Sequence, residues 1–284
     1  MSLAAARPLE EAALAPSSTG HDDLTVYDHA RLYDVAFSDR RFDDEVAAML
    51  RWSSHHLGRA PTSALELCAG PADHAIATAA RGLASTALDL SPSMCAYARE
   101  KAAAHGQRID VVAADMRAFA LDRPVDLAFT MLNSISHLHT LEDLVLHFRA
   151  VASNLVEQGV YVLEVQHPKD FVGRGARRTA VSHPWTVARD EVVVETTWGH
   201  ADGHYDPVHQ IFAADVTLKA RLGDHVVEER EVVRMRDWTF DEMRAAAMLS
   251  GALRFARAYG DFDDDVRFDG SDRAWRMILV FTRG

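Results

Sequence analysis

From residue 64 to residue 165 the chain alternates short apolar runs with longer segments whose apolar residues recur every three or four positions. The short runs predict strands, over residues 64–67, 86–90, 109–113, 125–131 and 160–165. The longer segments predict helices, the clearest of which, residues 141–156, places its apolar side chains on one face. Strands that alternate with helices form right-handed crossovers around a parallel sheet. This stretch therefore predicts an α/β fold with a doubly wound sheet.

The ends of two helices carry recognisable signals. Ser91 followed by Pro92 is typical of an N-cap and a first helical residue, and Gly106 suits the position just after that helix. Thr239 and Glu242 have the spacing of a capping box, which predicts that a further helix begins there.

The segments on either side of the alternation differ in character. Before it, helices are predicted over residues 24–37 and 42–57. After it, partly alternating β-rich runs predict antiparallel strands, over residues 192–198, 210–222 and 226–236, with turns at 201–203 and 223–224. Two last strands, residues 253–259 and 274–282, are expected to complete the main sheet.

We therefore divide the chain into four segments. Residues 1–22 are expected to form a disordered tail, and residues 23–168 the core with an N-terminal helical cap. Residues 169–237 are expected to form a small antiparallel β insertion or lid, and residues 238–284 the C-terminal part of the core sheet.

The composition excludes some functions and favours others. The 284 residues carry a net charge of −12, which disfavours a nucleic-acid partner and is compatible with a cationic small molecule. The two cysteines, Cys68 and Cys95, form no disulfide framework, so a reducing, cytoplasmic setting is expected. No apolar run approaches the length of a membrane span, and no membrane partner is expected.

Side chains suited to ligand binding follow each of the predicted core strands. In an open α/β sheet, ligands bind outside the carboxyl ends of the strands. An acid that closes the second strand, Asp89, is well placed to accept two ribose hydroxyls, and small residues after the first strand let the backbone approach a ligand. The other candidates at these strand ends are Glu66, Asp115, Met116, Met131, His137 and His167.

Three motifs carry a resemblance to a known family. They are LELCAGPA at residues 65–72, ALDLSPSM at 87–94 and ADMRAF at 114–119. In order and spacing they resemble the cofactor motifs of class I S-adenosylmethionine (SAM) methyltransferases. The chain is most similar to small-molecule N-methyltransferases, namely bacterial amino-sugar N,N-dimethyltransferases and, more distantly, glycine N-methyltransferase-like enzymes. The stretches shared with the amino-sugar group are LYD at 32–34, DMRAF at 115–119 and SISHL at 134–138.

The resemblance covers residues 27–167 and implies a seven-stranded, Rossmann-like methyltransferase sheet. It implies SAM as cofactor and S-adenosyl-L-homocysteine as product, with Asp89 at the ribose, Asp115 and Met116 at the adenine, and Glu66 and Gly70 at the methionine part. The cofactor-binding residues that we predict on this basis are Tyr33, Glu66, Cys68, Ala69, Gly70, Asp89, Leu90, Met94, Asp115, Met116 and Met131. One departure stands out, because Cys68 and Ala72 occupy positions where the family's usual turn has glycine.

Methyl transfer to an amine needs a neutral nitrogen, so a group that takes up its proton is expected. A histidine titrating near pH 7 suits that work, and His137 is the best candidate. Tyr33, which could close over the cofactor or orient the substrate, is the other predicted catalytic residue. A structural role for His137 and simple packing of the tyrosines are the alternatives. The predicted substrate contacts are Tyr27, His137, His167 and Trp185.

No metal site is predicted. The His- and Asp-rich stretch of residues 199–209 fits no known ligand spacing and is typical of an exposed turn.

The sequence thus predicts a SAM-dependent methyltransferase acting on a small-molecule acceptor, an amine nitrogen in specialised natural-product metabolism. C- or O-methylation in the same pocket is one alternative, and a methyltransferase fold that uses SAM for another reaction is a second. An NAD-linked oxidoreductase is disfavoured because the Gly-x-Gly-x-x-Gly motif is missing. A homodimer is left open.

Overall fold

The computed structural model describes residues 26–172 and 184–284, without the side chains of residues 200–204. The predicted N-terminal tail lies outside the described residues. In chain order the strands are β1 (Ser63–Leu67), β2 (Ala84–Asp89), β3 (Asp110–Ala113), β4 (Val125–Thr130), β5 (Leu155–Gln166), β6 (Trp185–Arg189), β7 (Val192–Asp206), β8 (Ile211–Leu222), β9 (His225–Arg236), β10 (Leu253–Tyr259) and β11 (Arg276–Arg283).

These strands form two sheets. The larger has seven strands in the order β10-β11-β5-β4-β1-β2-β3, and the smaller has four in the order β6-β7-β8-β9. Neighbours among β1 to β5 pair in parallel, whereas β11 pairs antiparallel with both β5 and β10. The order reverses at β1, as in a doubly wound fold. The predicted fold class, including the small antiparallel sheet, is confirmed.

Helices cover both faces of the seven-stranded sheet. They are α1 (Ala30–Ala36), α2 (Phe42–Leu57), α3 (Asp73–Ala79), α4 (Pro92–Ala104), α5 (Leu141–Ser153) and α6 (Phe240–Ser250). Along β5, Tyr161 and Leu163 belong to the apolar cluster under α5 and α6, and Val160 and Val162 to the cluster under α2. This alternation places the two clusters on opposite faces of the strand. None of the helices in the described ranges is long and apolar enough to cross a membrane.

The predicted helix signals are confirmed. The Ser91 hydroxyl accepts a hydrogen bond from the Met94 N–H, with Pro92 at the helix start, and Gly106 follows the helix with φ of +67°. Thr239 and Glu242 form the reciprocal bonds of a capping box at α6.

Two local predictions are wrong, and one strand was not predicted. The helix predicted over residues 24–37 is a 3₁₀ turn, Val26–Asp28, followed by α1, with His29 between them. The turn predicted at 201–203 lies within β7, whose register against β8 shifts between His200 and Tyr205, so the strand absorbs the extra residues as a bulge. The hairpin turn lies at residues 207–210 instead, and the strand β6 was not predicted.

A buried network of charged side chains joins α2 to the carboxyl ends of the central strands. Its members are Arg40, Glu45, Glu66, His74, Glu164 and Arg276. The His74 imidazole lies between two carboxylates, with Nδ1 2.9 Å from Glu66 and Nε2 2.8 Å from Glu45. Burial by itself would lower the pKa of His74, but the charges of Glu66 and Glu45 raise it to about 9. With His74 protonated, three cations balance three carboxylates.

We expect His74 to make stability depend on pH. The folded chain keeps the His74 proton up to a pKa of about 9, whereas an unfolded histidine loses it near 6.5. The stabilisation is therefore complete below about pH 6.5 and is lost as the pH rises to about 9, by up to about 1.4 kcal/mol per pH unit. Urea unfolding at pH 6.5, 7.5 and 8.5 should show this slope in the wild type and not in His74→Gln. The exposed His105 offers a control, since His105→Gln should keep the slope; an equal slope in all three chains would contradict the assignment.

Candidate functional site

A cavity of about 430 Å³ lies at the carboxyl ends of β1, β2 and β4. Residues from three parts of the chain line it. The core contributes the turn after β1 and the ends of β2 and β4, and the N-terminal segment contributes Tyr27, Tyr33 and Phe37. Trp198 of β7 and Met235 of β9 bring the smaller sheet into the wall. The cavity is at the edge where this class of sheet binds its ligands.

The turn after β1 keeps a glycine-like backbone at three positions, although only one of them is glycine. The φ angles of Cys68, Gly70 and Ala72 are +53°, +51° and +62°. A side chain in this left-handed region costs roughly 1–2 kcal/mol, so two of the three residues are strained. A Cβ added to Gly70 would lie 3.8 Å from the Tyr33 ring, on the side that faces the cavity. The turn therefore keeps its shape at an energetic cost.

Asp89 is held in place by two backbone amides. Its Oδ2 accepts a hydrogen bond from the Gly70 N–H at 2.7 Å, and its Oδ1 accepts one from the Ser91 N–H at 2.8 Å. Burial raises the pKa of the Asp89 carboxyl, and these two bonds oppose the rise. The amides leave further lone pairs on both oxygens for a hydroxyl-bearing ligand, since a carboxylate has about four acceptor sites.

Glu66 lines the cavity, yet its carboxylate already has partners. Its Oε1 contacts His74, and its Oε2 accepts a hydrogen bond from the Ala75 N–H at 2.7 Å. Glu66 is only 4% exposed. Its main role in the structure is to fix the start of α3 next to the turn.

Tyr27 and His137 form a hydrogen-bonded pair inside the cavity, with 3.0 Å between the hydroxyl oxygen and Nε2. Burial, with a smaller effect from His139, lowers the pKa of His137 to about 4. Burial raises the pKa of Tyr27 above its usual value. At neutral pH both groups are uncharged, so the expected histidine with a pKa near 7 is absent from this position.

His137 is presented by a strained loop after β4. Leu132 and Asn133 have φ angles of +55° and +59°. Glu164 holds this loop by accepting a hydrogen bond from the Leu132 N–H at 2.9 Å, and the Asn133 side chain accepts one from the Gln166 N–H. The loop continues into the 3₁₀ turn Ser134–His137. Through Glu164, the buried charge network thus supports the loop that leads to His137.

A sulfur contact forms another part of the wall. The Cys68 Sγ lies 3.4 Å from the Met116 Sδ. Burial raises the pKa of the Cys68 thiol, and the carboxylates of Asp89 and Asp115 raise it further, so the side chain remains a neutral thiol. It is not a nucleophile at neutral pH.

Most of the predicted site residues line this one cavity. They are Tyr27, Tyr33, Glu66, Cys68, Ala69, Gly70, Asp89, Leu90, Met94, Met116, Met131 and His137.

Three predicted residues lie outside the lining. The Asp115 carboxylate is held by Arg117, with 2.6 Å between Oδ2 and the guanidinium. The His167 Nε2 lies 3.0 Å from the Asp269 carbonyl, and its ring packs against Phe268. Trp185 donates its indole N–H to the Ala36 carbonyl and so anchors β6 to α1. Each of the three is bonded to a residue that is also outside the lining.

Sequence reasoning missed several lining residues, among them Phe37, Met235, Asp34 and Asp73. One signal was available, because Phe37 follows Tyr33 by four residues and so lies on the same helical face. The pairing of β9 that brings Met235 to the cavity had no signal in the sequence. In the parts of the chain that the structure describes, no group of three or more His, Cys, Asp or Glu side chains could hold a metal ion.

Residues 64–159 match the family model of a methyltransferase domain. A comparison with curated proteins found no match. The structure is similar to that of DesVI from Streptomyces venezuelae, with a TM-score of 0.73 and 20% identity over 92% of this chain and 100% of that one.

Two further solved structures are similar. One is the SAM-bound CalS10 from Micromonospora echinaspora, an amino pentose methyltransferase involved in calicheamicin biosynthesis, with a TM-score of 0.69 and 19% identity over 93% of this chain and 100% of that one. The other is the sugar N-methyltransferase KedS8 from Streptoalloteichus sp ATCC 53650, with a TM-score of 0.69 and 21% identity over 94% and 96% of the two chains. The chain has the Rossmann-like methyltransferase fold.

The strained turn leads to a stability prediction. In Ala72→Gly, relief of roughly 1–2 kcal/mol of strain should offset the flexibility of glycine in the unfolded chain and the loss of one buried methyl group, each worth up to about 1 kcal/mol. Ala69 lies in the same turn and is buried, but it is not among the residues with positive φ. Ala69→Gly therefore adds flexibility to the unfolded chain and removes a buried methyl group without relieving any strain. Thermal unfolding should show Ala72→Gly close to wild type and Ala69→Gly less stable by about 1–2 kcal/mol. Equal destabilisation of both would contradict the strain.

Proposed function

We propose that this chain is a SAM-dependent methyltransferase that methylates the nitrogen of a small-molecule amine in specialised metabolism. The observation that carries the proposal is the position of Asp89, held by the amides of Gly70 and Ser91 in the same cavity as the Tyr27–His137 pair. The methyltransferase domain match over residues 64–159 supports the reaction class. The amino pentose and sugar N-methyltransferases of similar fold support a nitrogen acceptor.

The residues present fit the proposed cofactor. The free lone pairs of Asp89 would accept the two ribose hydroxyls. Leu90 is 70% exposed although it lines the cavity, and with Met94 and Met116 it offers an apolar slot suited to adenine. Gly70 leaves open the space in front of Tyr33 that a side chain would fill. When bound, SAM supplies a methyl group activated on a positively charged sulfur.

Tyr27 and His137 would orient the acceptor. Because His137 is neutral at pH 7, its Nε2 can accept the hydrogen bond of the Tyr27 hydroxyl in the tautomer protonated at Nδ1. The Tyr27 oxygen is then free to accept a hydrogen bond from the substrate N–H and to direct the nitrogen lone pair. Holding a nucleophile in this way lowers the barrier without moving a proton onto the imidazole.

The first test concerns the cofactor. Asp89→Ala removes two charge-assisted hydrogen bonds to ribose, each worth about 1.5–3 kcal/mol, and should weaken S-adenosylhomocysteine binding by at least about 100-fold in calorimetry. Asp110 at the exposed start of β3 provides a control, and Asp110→Ala should bind as the wild type does. Circular dichroism should confirm that both variants are folded. Unchanged affinity in a folded Asp89→Ala would refute the assignment of the cavity.

The second test concerns the Tyr27–His137 pair. Tyr27→Phe and His137→Leu should each lower kcat by about 10- to 100-fold with the best amine of a panel, and the double variant should be no slower than the worse single one. That result follows if the imidazole acts only through the tyrosine. His139 contacts the Arg234 carbonyl outside the lining, so His139→Leu should keep most of the activity. Losses that multiply in the double variant would show that the two side chains act independently.

A further inference from the structure

Four aromatic rings form a continuous wall of the cavity. Tyr27, Tyr33, Phe37 and Trp198 all line it. Successive ring centroids lie 5.8 Å apart from Tyr27 to Tyr33, 4.6 Å from Tyr33 to Phe37 and 6.2 Å from Phe37 to Trp198. A cation near the face of such rings is attracted by their quadrupoles, most strongly when water is excluded. The wall is therefore suited to a positively charged group.

The charges of the lining favour the same kind of ligand. Among the described residues the lining contains five carboxylates and neither lysine nor arginine; the carboxylates are Asp28, Asp34, Glu66, Asp73 and Asp89.

The cations just behind this lining are already paired. Lys101 lies between Asp34 and Asp73, at 2.5 Å from each. Arg189 of β6 lies 2.6 Å from the other oxygen of Asp34. These side chains are committed to carboxylates, as is the protonated His74 of the lining, so no described cation at the cavity is left to meet an anionic ligand.

The size of the cavity adds a third constraint. A volume of about 430 Å³ is near the lower end of the range of about 300–1,000 Å³ for small-molecule sites. The cofactor and the reacting part of the acceptor must share it. Little of this volume remains for a further large group of the acceptor, such as a nucleotide.

We propose that the acceptor is a cationic amine that carries no phosphate group, bound with its ammonium end against the wall of Tyr27, Tyr33, Phe37 and Trp198. This inference rests on the proposed methyl transfer and names its substrate class. A nucleoside-diphosphate-linked amine would bring two negative charges to a cavity whose described cations are already paired with carboxylates, and burying charge without a partner is costly.

The charge balance of the reaction fits this wall. The ammonium loses a proton to water, and the lone pair of the neutral nitrogen then forms the new N–C bond as the S–C bond breaks. The sulfur keeps the electron pair of the broken bond and becomes a neutral thioether. The nitrogen takes over the positive charge, so substrate and product are both cations when protonated and both suit the aromatic wall.

Binding of two simple probes tests the proposal on the full chain, after calorimetry has shown that the chain binds S-adenosylhomocysteine. Tetramethylammonium should bind to the chain saturated with this product, and inorganic pyrophosphate should not. Trp198→Ala should weaken tetramethylammonium binding about tenfold. Trp275→Ala is the control, because Trp275 is 51% exposed and lies outside the lining, and the affinity of this variant should stay within about twofold of wild type. One-to-one pyrophosphate binding, no tetramethylammonium binding, or equal losses in the two variants would each overturn the proposal.

A competition between two amines separates this inference from the proposed function. Glucosamine and UDP-glucosamine carry the same amine without and with a diphosphate. Faster S-adenosylhomocysteine release with glucosamine supports the inference, and faster release with UDP-glucosamine overturns it while leaving methyl transfer in place. If neither amine reacts, the titrations with tetramethylammonium and pyrophosphate remain the test of the inference. Failure of S-adenosylhomocysteine to bind in the first titration would instead overturn the proposed function.

Discussion

The protonated His74 between Glu45 and Glu66 is the interaction on which the geometry of the cavity depends. Burying three carboxylates would be prohibitive without cations of equal number, and Arg40, Arg276 and His74 supply them. Through these contacts α2, β1, β5 and β11 are fixed at one point beneath the cavity floor. Because removing one partner of such a network leaves an uncompensated charge, the arrangement is held as a unit rather than pair by pair.

The fold was predictable because its signals are local and repeated. Buried parallel strands are short apolar runs, helix starts carry caps such as Ser91 and Thr239, and the order of elements restricts the topology. Asp89 was predictable for the same reason, since its place is set by the strand that it closes. The four-stranded sheet was predictable in kind, but the register shift in β7 displaced its turn, because such a shift depends on pairing between strands.

Some parts of the site could not be predicted from the sequence, because they depend on which other residues contact or bury the functional side chain. Asp115 resembles an adenine-binding acid in its motif, but Arg117 two residues later takes its carboxylate. His137 carries the expected residue type, yet burial moves its pKa to about 4, and burial is a property of the fold. Of the two tryptophans of the smaller sheet, the sequence predicts Trp185 as a substrate contact and not Trp198. In the structure Trp185 bonds to Ala36 outside the lining, whereas Trp198 lies in the lining.

The roof of the cavity is a helix of only seven residues, α1, which is too short to be stable alone. The smaller sheet holds α1 and the 3₁₀ turn before it through bonds from Glu231 to the Val26 N–H, from Trp185 to Ala36 and from Arg189 to Asp34. Helix α1 and the part of the smaller sheet that lines the cavity therefore form one cooperative unit, made from segments more than a hundred residues apart in the chain. An acceptor preference could be transplanted between chains of this fold only by exchanging both segments together, since either one alone would lose its support.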